Sequence, residues 1–400
     1  MGSAGIVPGS YNDPMVASLD VCIRGAGIVG RTLALLLAAD RLRVGLVEAA
    51  EPAGAAPDVR AYAINAASRE LLQRVRAWPD QAATPVHAMQ VQGDAGGEVR
   101  FEAAPGGVDP ARADGTPQAP LAWIVEATAL LQALDQALHY QPQVQHLSAP
   151  QAAALTVVCE GKASASRAEF GVEWEVRPYA QHAIAARLHA DRRHDHVARQ
   201  WFHPGEILAL LPMGGAPAAS GAPQGRALAL VWSVPPARAE ALMALPAADF
   251  EEQLSAATGH ALGRLSLGPE QPQRARWPLQ LAKARQWTGP GWALAGDAAH
   301  TVHPLAGQGL NLGLADVQEL ADVLRAREYW RPLGDLRLLR RYERARKGDV
   351  AAMQWTTDGL QALFSQSAPA VGWLRNWGMR GFERLEPLKR WAARQAAGGA

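Results

Sequence analysis

A glycine-rich turn between two short apolar segments constrains the fold of this chain more than any other feature. Gly25, Gly27 and Gly30 follow the apolar residues 19–23, and a second apolar segment spans residues 44–47. Between these segments, leucines recur at helical spacing. The sequence therefore predicts a strand, a glycine turn, a helix and a parallel second strand, the unit typical of a dinucleotide-binding domain.

Each glycine of this turn has a separate expected role. Gly25 permits the tight turn, Gly27 lets the backbone approach a pyrophosphate, and Gly30 lets the helix pack closely on the strand. The helix then directs its free N–H groups and positive dipole end at the pyrophosphate. Glu48, which ends the second strand, is placed to bind the adenosine ribose and disfavours a 2′-phosphate. The alternative, an ordinary glycine-rich turn, lacks this flanking pattern.

A second motif lies far downstream, at Gly296-Asp297-Ala298-Ala299-His300. It follows residues 292–295, which are apolar and predict a buried strand. The carboxylate of Asp297 can bind the ribityl hydroxyls of a flavin, whereas the alternative is a helix N-cap or turn residue. We expect His300 to be structural rather than catalytic.

The motif continues through a glycine turn, Gly307 and Gly309, into a segment with leucines on one helical face, residues 310–324. The first backbone amides of this helix, at Leu310 and Asn311, can point at the flavin pyrimidine ring. Reduced flavin carries negative charge there, which a helix N-terminus stabilises. With the first turn, this motif predicts one FAD held at both ends.

Composition excludes several other classes of function. The chain has 400 residues, 48% hydrophobic and 19% charged, and a net charge of +1, which gives no basis for nucleic-acid binding. Cys22 and Cys159 lie in apolar runs and are expected to be reduced packing residues of an intracellular, cytoplasmic protein. The histidines lack matching acidic or cysteine partners, so no metal site is expected. No segment approaches the ~20 apolar residues of a spanning helix.

The expected fold class is α/β: a Rossmann-like FAD-binding domain is interrupted by a mostly antiparallel β substrate domain and closed by a C-terminal helical tail. The two domains are expected to alternate along the chain. The expected order is a flexible N-terminal arm (1–18), the first FAD-binding segment (19–78), the first substrate-domain segment (79–125), the second FAD-binding segment (126–168), the second substrate-domain segment (169–285), the third FAD-binding segment (286–330) and a C-terminal helical region (331–400).

These motifs resemble those of the single-component aromatic hydroxylases, and most closely the ubiquinone-biosynthesis hydroxylase family. The resemblance extends from about residue 19 to residue 391. Besides the two glycine motifs, it rests on Asp58-Val59-Arg60-Ala61, Ile124-Val125-Glu126, Tyr179-Ala180-Gln181-His182-Ala183, and the run from His303-Pro304-Leu305-Ala306-Gly307 through Gln308-Gly309-Leu310-Asn311-Leu312-Gly313.

The resemblance implies the fold of para-hydroxybenzoate hydroxylase and a bound FAD. It also implies that Arg60 lies near the pyrophosphate and the mobile isoalloxazine, that Pro304 lines the oxygen-reacting face, and that Glu126 belongs to the cofactor site. The candidate catalytic residues are Pro304, Arg60 and His303, and His303 is only slightly better placed for this role than His300. The alternative for Arg60 is a solvated surface arginine. No second dinucleotide motif is present, so NAD(P)H is expected to bind only transiently as reductant.

The implied reaction is hydroxylation of a phenolic ring through a flavin 4a-hydroperoxide formed with O2. The implied substrate is a polyprenyl-phenol intermediate of ubiquinone biosynthesis. Other interpretations stay open: a hydroxylase of a soluble aromatic, a reductase of isoprenoid double bonds, or an accessory or scaffold subunit of a quinone-synthesis assembly.

Two departures from the family pattern support the last interpretation. The resemblance implies an Asp-Gly motif that contacts both the flavin and the nicotinamide. This motif appears here as Glu160-Gly161, so Glu160 is a candidate cofactor residue that keeps the charge but adds a methylene. The stretch between His139 and Cys159 is short where the family usually carries extra strands, so a more open FAD site is expected.

The final residues combine aromatic and basic side chains. Residues 369–394 contain Trp373, Trp377, Phe382 and Trp391 among six basic residues and two glutamates. Such a segment can lie on an anionic membrane as a peripheral contact. The alternative is that the aromatics pack on the protein, and a homo-oligomer or a quinone-synthesis complex also remains open.

Overall fold

The computed structural model describes residues 19–48, 58–93, 97–102, 120–214, 225–268, 272–302 and 308–365. It confirms the expected α/β class. A six-stranded, mainly parallel sheet includes the strand that precedes the first glycine motif, and a nine-stranded, mainly antiparallel sheet is built largely from residues 174–284. A third, small sheet has three strands and packs against the nine-stranded sheet.

The described strands, in chain order, are β1 (Leu19–Arg24), β2 (Val44–Val47), β3 (Ala61–Ile64), β4 (Thr84–Val86), β5 (Ala88–Gln92), β6 (Glu98–Glu102), β7 (Ala122–Glu126), β8 (Val144–Leu147), β9 (Ala153–Val158), β10 (Trp174–Ala190), β11 (Val197–His203), β12 (Glu206–Met213), β13 (Ala227–Val234), β14 (Leu265–Leu267), β15 (Arg274–Ala284), β16 (Thr288–Gly289), β17 (Trp292–Leu294) and β18 (His300–Thr301). The described α-helices are α1 (Ile28–Ala39), α2 (Ala66–Arg74), α3 (Ala127–His139), α4 (Ala165–Glu169), α5 (Pro236–Ala244), α6 (Ala247–Ala257), α7 (Gln308–Arg325) and α8 (Leu336–Ser365).

The first sheet has the strand order β16-β17-β9-β1-β2-β8, and only β16 runs antiparallel to its neighbour. Strand β1 pairs in parallel with β2 (Val21 with Val44) and with β9 (Val21 with Leu155). Because such strands are buried on both faces, they read as continuous apolar runs rather than alternating ones. The predicted strand–helix–strand unit is therefore β1, α1 and β2, and its buried side chains join those of α7 in one core.

The second sheet has the order β18-β15-β10-β13-β12-β11-β5-β6, with β14 pairing beside β10. One face is covered by α5 and α6, where Trp232 and Phe250 are fully buried. Alternation along each strand places the next residues on the opposite face, part of which packs against the small sheet of β3, β7 and β4. That opposite face is rich in alanine.

Some elements depart from the sequence expectations. The sequence of residues 58–75 predicts a loop leading into a helix, but the structure also has the four-residue strand β3 there, before α2. The short stretch between His139 and Cys159 carries the strand β8, which the sequence did not indicate, in addition to β9, which its apolar residues 154–159 predict as a buried strand. Cys22 and Cys159 are free and buried, as expected.

Two features are absent from the described residues. No helix there is both long enough and apolar enough to cross a membrane. No group of three or more histidine, cysteine or acidic side chains there is arranged to hold a metal ion. The N-terminal arm and residues 369–394 lie outside the described residues.

Candidate cofactor site

The glycine motifs from the two ends of the chain meet at Val29, in the first turn of α1. A Cβ atom added at Gly296 would lie 3.4 Å from a Val29 methyl group. One added at Gly313, in α7, would lie 2.9 Å from Val29 Cγ2 and 3.3 Å from Gly296 Cα. Glycine at both positions therefore lets α1, the Asp297 turn and α7 come together at one point.

Two glycines of the first motif are required by the protein's own packing. Gly25 has a φ of +110°, which side chains rarely adopt, and an added Cβ would lie 2.6 Å from the Cys159 carbonyl oxygen. A Cβ at Gly30 would lie 1.9 Å from the Gly25 carbonyl oxygen. Helix α1 can approach its strand only because these residues are glycines.

Gly27 is different. Its φ of −73° suits any residue, and no described atom lies within 4 Å of the position where its Cβ would be. The described protein therefore leaves open the space that the sequence assigns to a pyrophosphate, directly before the N-terminus of α1. This geometry fits FAD.

Glu48 follows β2, as predicted for the ribose-binding carboxylate. Its Oε1 is paired with Arg31 Nη2, and its Oε2 lies 3.7 Å from His146 Nδ1. Arg31 also lies 2.9 Å from Asp135 Oδ1. The Glu48 side chain remains 45% exposed, so these contacts orient it while leaving it accessible to a ribose.

Asp297 lies in the 3-10 turn Gly296–Ala298, not at a helix N-cap. Its carboxylate is partly buried and has no hydrogen-bond partner among the described residues. Burial raises its pKa, although Lys162, His300 and Arg60 act in the opposite direction. A carboxylate in this state gains from hydroxyl donors, which is the contact predicted for the ribityl chain.

The turn is held by Asp316, a residue that sequence reasoning missed. Asp316 accepts hydrogen bonds from Gly296 N at 2.9 Å, His300 Nε2 at 2.6 Å and Arg346 Nε at 2.9 Å. Burial raises its pKa, but His300 and Arg346 outweigh burial and lower it overall. The available signal was an acidic residue on the apolar face of a predicted helix.

His300 has the structural position that the sequence indicated. It is 1% exposed, and its ring stacks on Trp287 at 4.9 Å between centroids. Its Nε2 faces Asp316, so the imidazole is enclosed by protein on both sides.

Arg60 lies just before β3 with its side chain 54% exposed. Asp58 binds the guanidinium at two points, with Nε–Oδ1 at 2.8 Å and Nη2–Oδ2 at 2.6 Å, and raises the pKa of Arg60. The carboxylate of Asp297 acts in the same direction, so the two predicted cofactor residues interact electrostatically. Arg60 is therefore an exposed arginine, but one with a fixed orientation near the Asp297 turn.

The backbone of Arg60 is held by Arg187, which the sequence did not single out. Arg187 Nη2 donates to the Arg60 carbonyl oxygen at 2.9 Å, and its Nε lies 3.9 Å from Glu126 Oε1. Arg187 is 8% exposed on β10, so it links the large sheet to the segment carrying Arg60. Glu126 thus has an ionic partner within the protein, while its cofactor contact stays a prediction.

Glu160 is held within its own loop. It accepts hydrogen bonds from Ser164 Oγ at 2.8 Å and from Ser166 Oγ at 2.6 Å and N at 3.0 Å. Burial raises its pKa, yet these hydrogen bonds lower it overall. Arg167 donates to the carbonyl oxygens of Lys162 and Ala298, at 2.8 and 3.2 Å, so the loop is also tied to the Asp297 turn.

The start of α7 is connected to the Arg60 segment through Asn311. Its Nδ2 donates to the Ala63 carbonyl oxygen at 2.8 Å, and its Oδ1 accepts from Asn65 N at 3.1 Å. The backbone amides of Leu310 and Asn311 belong to the first turn of α7, and their contact with the flavin ring stays a prediction. Three predicted residues of this region, His303, Pro304 and Gly307, lie outside the described residues.

Comparison with known proteins gives a consistent result. Residues 139–356 match the family model described as FAD binding domain. The chain is 33% identical over 411 residues to 3-demethoxyubiquinol 3-hydroxylase of Escherichia coli, covering 95% of this chain and 98% of that protein. It is 31% identical over 421 residues to ubiquinone hydroxylase UbiL of Rhodospirillum rubrum, covering 98% and 93%.

Solved structures support the fold. The p-nitrophenol 4-monooxygenase PnpA of Pseudomonas putida matches with a TM-score of 0.70 and 17% identity, over 96% of this chain and 98% of that one. PqsL of Pseudomonas aeruginosa, in complex with 2-aminobenzoylacetate, matches with a TM-score of 0.70 and 20% identity, over 91% and 99%. The predicted FAD cofactor is confirmed by the family match. The chain belongs to the FAD-dependent ubiquinone-biosynthesis hydroxylase family.

Proposed function

We propose that this chain is a monooxygenase that hydroxylates the phenolic ring of a polyprenyl-phenol intermediate of ubiquinone biosynthesis, with FAD, NAD(P)H and O2. The observation that carries the proposal is the meeting of the two glycine motifs at Val29. It occurs in a chain that is similar to 3-demethoxyubiquinol 3-hydroxylase over 95% of its length.

FAD, when bound, accepts two electrons from the nicotinamide coenzyme and activates dioxygen for transfer of one oxygen atom to the ring. The residues of this chain bind and orient it. The space beside Gly27 receives the pyrophosphate, Glu48 accepts from the ribose, and Asp297 accepts from the ribityl hydroxyls.

The first turn of α7 stabilises negative charge on the flavin pyrimidine ring through its N–H groups at Leu310 and Asn311. Arg60 supplies a positive charge with a fixed orientation, because Asp58 holds its guanidinium and Arg187 holds its carbonyl group. Both groups are held by hydrogen bonds within the protein, so they need little rearrangement during the reaction.

The test starts with the absorption spectrum of the purified protein. We expect flavin bands that are lost when NADH or NADPH is added under nitrogen. Admission of O2 with a panel of phenols, with and without a prenyl tail, should then give a product heavier by one oxygen atom. A flavoprotein that oxidises the coenzyme but hydroxylates only untailed phenols would indicate the soluble-aromatic alternative.

A specific observation supports a second candidate, an accessory subunit with weak turnover. The carboxylate of Glu160, at the family's Asp-Gly motif, already accepts three hydrogen bonds from its own loop. A protein that holds FAD but is not reduced by either coenzyme, in wild type and in Glu160→Asp alike, would support this candidate. Reduction by either coenzyme would exclude it.

We also propose that the protein is cytoplasmic and contacts the inner face of the membrane through its C-terminal region, residues 331–400. The support is the aromatic and basic composition of residues 369–394. The full chain should sediment with vesicles containing anionic lipid and not with neutral vesicles. Replacement of the six basic residues by glutamine should abolish this difference.

A further inference from the structure

The face of the nine-stranded sheet opposite α5 and α6 contains a region that we call the open face. It is defined by two rows of residues paired across neighbouring strands, which therefore share one side of the sheet. The first row is Ala183, Ser233 and Ile207, and the second row is Ala185, Val231, Ala209 and Gln200. Val231 and Ala209 are only partly buried.

The open face lies next to the part of the large sheet that contacts the small sheet and the segment carrying Arg60. The next row along the sheet, Arg187, Ala229 and Leu211, packs against the small sheet formed by β3, β7 and β4. Arg187 in this row donates to the Arg60 carbonyl oxygen. The apolar cluster between the two sheets includes Ala229 and Leu211 but stops before Val231 and Ala209.

Two polar side chains on this apolar face are buried and lack hydrogen-bond partners. Ser233 is 4% exposed and Gln200 is 6% exposed. Neither side chain has a hydrogen-bond partner within the part of the chain that the structure describes, and neither polar group is sealed from solvent. Buried polar groups normally have partners, because an unpaired group in apolar surroundings costs free energy. A bound ligand with oxygen atoms would supply the missing partners.

We propose that Ser233 and Gln200 are specificity-determining residues that hydrogen-bond to the oxygen substituents of the aromatic substrate and fix the ring on the open face. The inference rests on the proposed function and names the residues that recognise the substrate of that reaction. Val231 and Ala209 lie between the two polar side chains and are only partly buried, so they offer an apolar surface to a flat ring, whereas Ala183, Ala185 and Phe202 in the same rows are buried.

The spacing favours a ring with more than one oxygen. Ser233 and Gln200 lie two strands and two residues apart in register, which places their Cα atoms roughly 12 Å apart. One oxygen atom cannot bond to both side chains across this span. A dihydroxy or alkoxy-hydroxy ring presents oxygens at separate positions, and a hydroxyl and an amide can each donate or accept.

The affinity for a ligand should then depend on how many oxygen atoms its ring carries. A site built to hydrogen-bond a ligand oxygen rejects the analogue that lacks it, because its own polar group stays unpaired. An apolar site of the same shape would bind both ligands about equally.

The experiment measures binding rather than turnover, with FAD-loaded full-length protein and no NAD(P)H. Dissociation constants come from the perturbation of the flavin absorption spectrum by two probes. One probe is 2-methoxyhydroquinone bearing a short prenyl tail, and the other is the same molecule without one ring hydroxyl. We expect the wild type to prefer the first probe by about tenfold or more.

Ser233→Ala and Gln200→Leu should each reduce this preference by about fivefold, through weaker binding of the oxygen-rich probe alone. The matched control is Val231→Ala, which alters the same face without removing a polar group and should change both dissociation constants by the same factor. Flavin content and Tm of each variant establish that the fold is retained.

An unchanged preference in both variants, with tight binding of both probes, would overturn the inference and leave the proposed function intact. A wild type that does not discriminate between the probes would also overturn it, even if a variant failed to fold. A wild type that binds neither probe and hydroxylates no phenol would remove the proposed function together with the inference.

Discussion

His300 Nε2 lies 2.6 Å from Asp316 Oδ2, and the two side chains are 1% and 0% exposed. Asp316 also accepts from Gly296 N and Arg346 Nε. Asp316→Ala removes the buried acceptor that Gly296 N, His300 Nε2 and Arg346 Nε share, so we expect a loss of about 3–5 kcal/mol in the free energy of unfolding. Urea denaturation checks this. Asp349→Ala is a matched control, since its carboxylate pairs with the same Arg346 but is 68% exposed and should cost under about 1 kcal/mol.

The same carboxylate predicts a pH dependence. Burial raises the pKa of Asp316, but His300 and Arg346 lower it overall below the unfolded value. Its stabilising contribution is therefore present above the ordinary carboxyl pKa and is lost as the pH falls through the lowered folded pKa. Tm should fall more steeply on acidification in wild type than in Asp316→Asn. Parallel curves for the two proteins would contradict this.

Gly27 and Gly30 form a matched pair for cofactor binding. Gly27→Ala adds a methyl group to open space, so the apoprotein should keep its Tm while the Kd for FAD rises about tenfold or more. Gly30→Ala places a carbon 1.9 Å from the Gly25 carbonyl oxygen and should cost about 3 kcal/mol or prevent folding. Calorimetry of the apoproteins and flavin titration separate the two effects. Equal loss of stability in both variants would refute the assignment of Gly27.

We expect Asp297→Asn to stabilise the apoprotein and to weaken FAD binding. Burial raises the pKa of Asp297 in the folded state, so this group lowers stability as the pH rises from the ordinary carboxyl pKa through the raised value. Removing the charge should raise the Tm of the apoprotein at neutral pH and leave it unchanged at about pH 3. FAD binding should weaken at the same time, whereas full FAD occupancy and normal turnover would show that Asp297 does not hold the ribityl chain.

Arg187→Met should affect the cofactor site from a distance. Among the described residues, the variant leaves the Ala127 amide as the remaining donor to the Arg60 carbonyl oxygen and removes the cation beside Glu126. We expect a cost of about 2–4 kcal/mol and a weaker affinity for FAD. Arg199→Met, which removes another partly buried guanidinium of the same sheet that donates to His194 O, is the control. It should leave FAD affinity unchanged, and an equal effect of both variants would show a general loss of stability.

The first glycine motif could be predicted because its requirements are local. Residues 25 and 30 must be glycine because a side chain there would collide with atoms that are a few residues away in the chain or at the end of one neighbouring strand. Asp297 was predictable for a similar reason, as it ends the strand segment that leads to α7. The roles of Asp316 and Arg187 depend on partners far away in sequence, at residues 346 and 60, so neither could be assigned from the local pattern.

The open face could not be predicted from the sequence, for a different reason. Alternation along β11 and β13 shows which residues share a face, but not which region of that face other elements leave uncovered. Gln200 and Ser233 therefore resembled ordinary polar residues within strands. The small sheet that covers the neighbouring row includes β3, whose four residues were too few to separate from a loop by periodicity.

Asn311 joins the first turn of α7 to the residues that follow Arg60, through Ala63 and Asn65. The Asn65 amide proton is bound by a side chain on another element, so it can exchange with solvent only when the two segments separate. Its deuterium uptake therefore reports on the separation of α7 from the segment that follows Arg60, and FAD bound to both segments, as proposed, should slow that uptake.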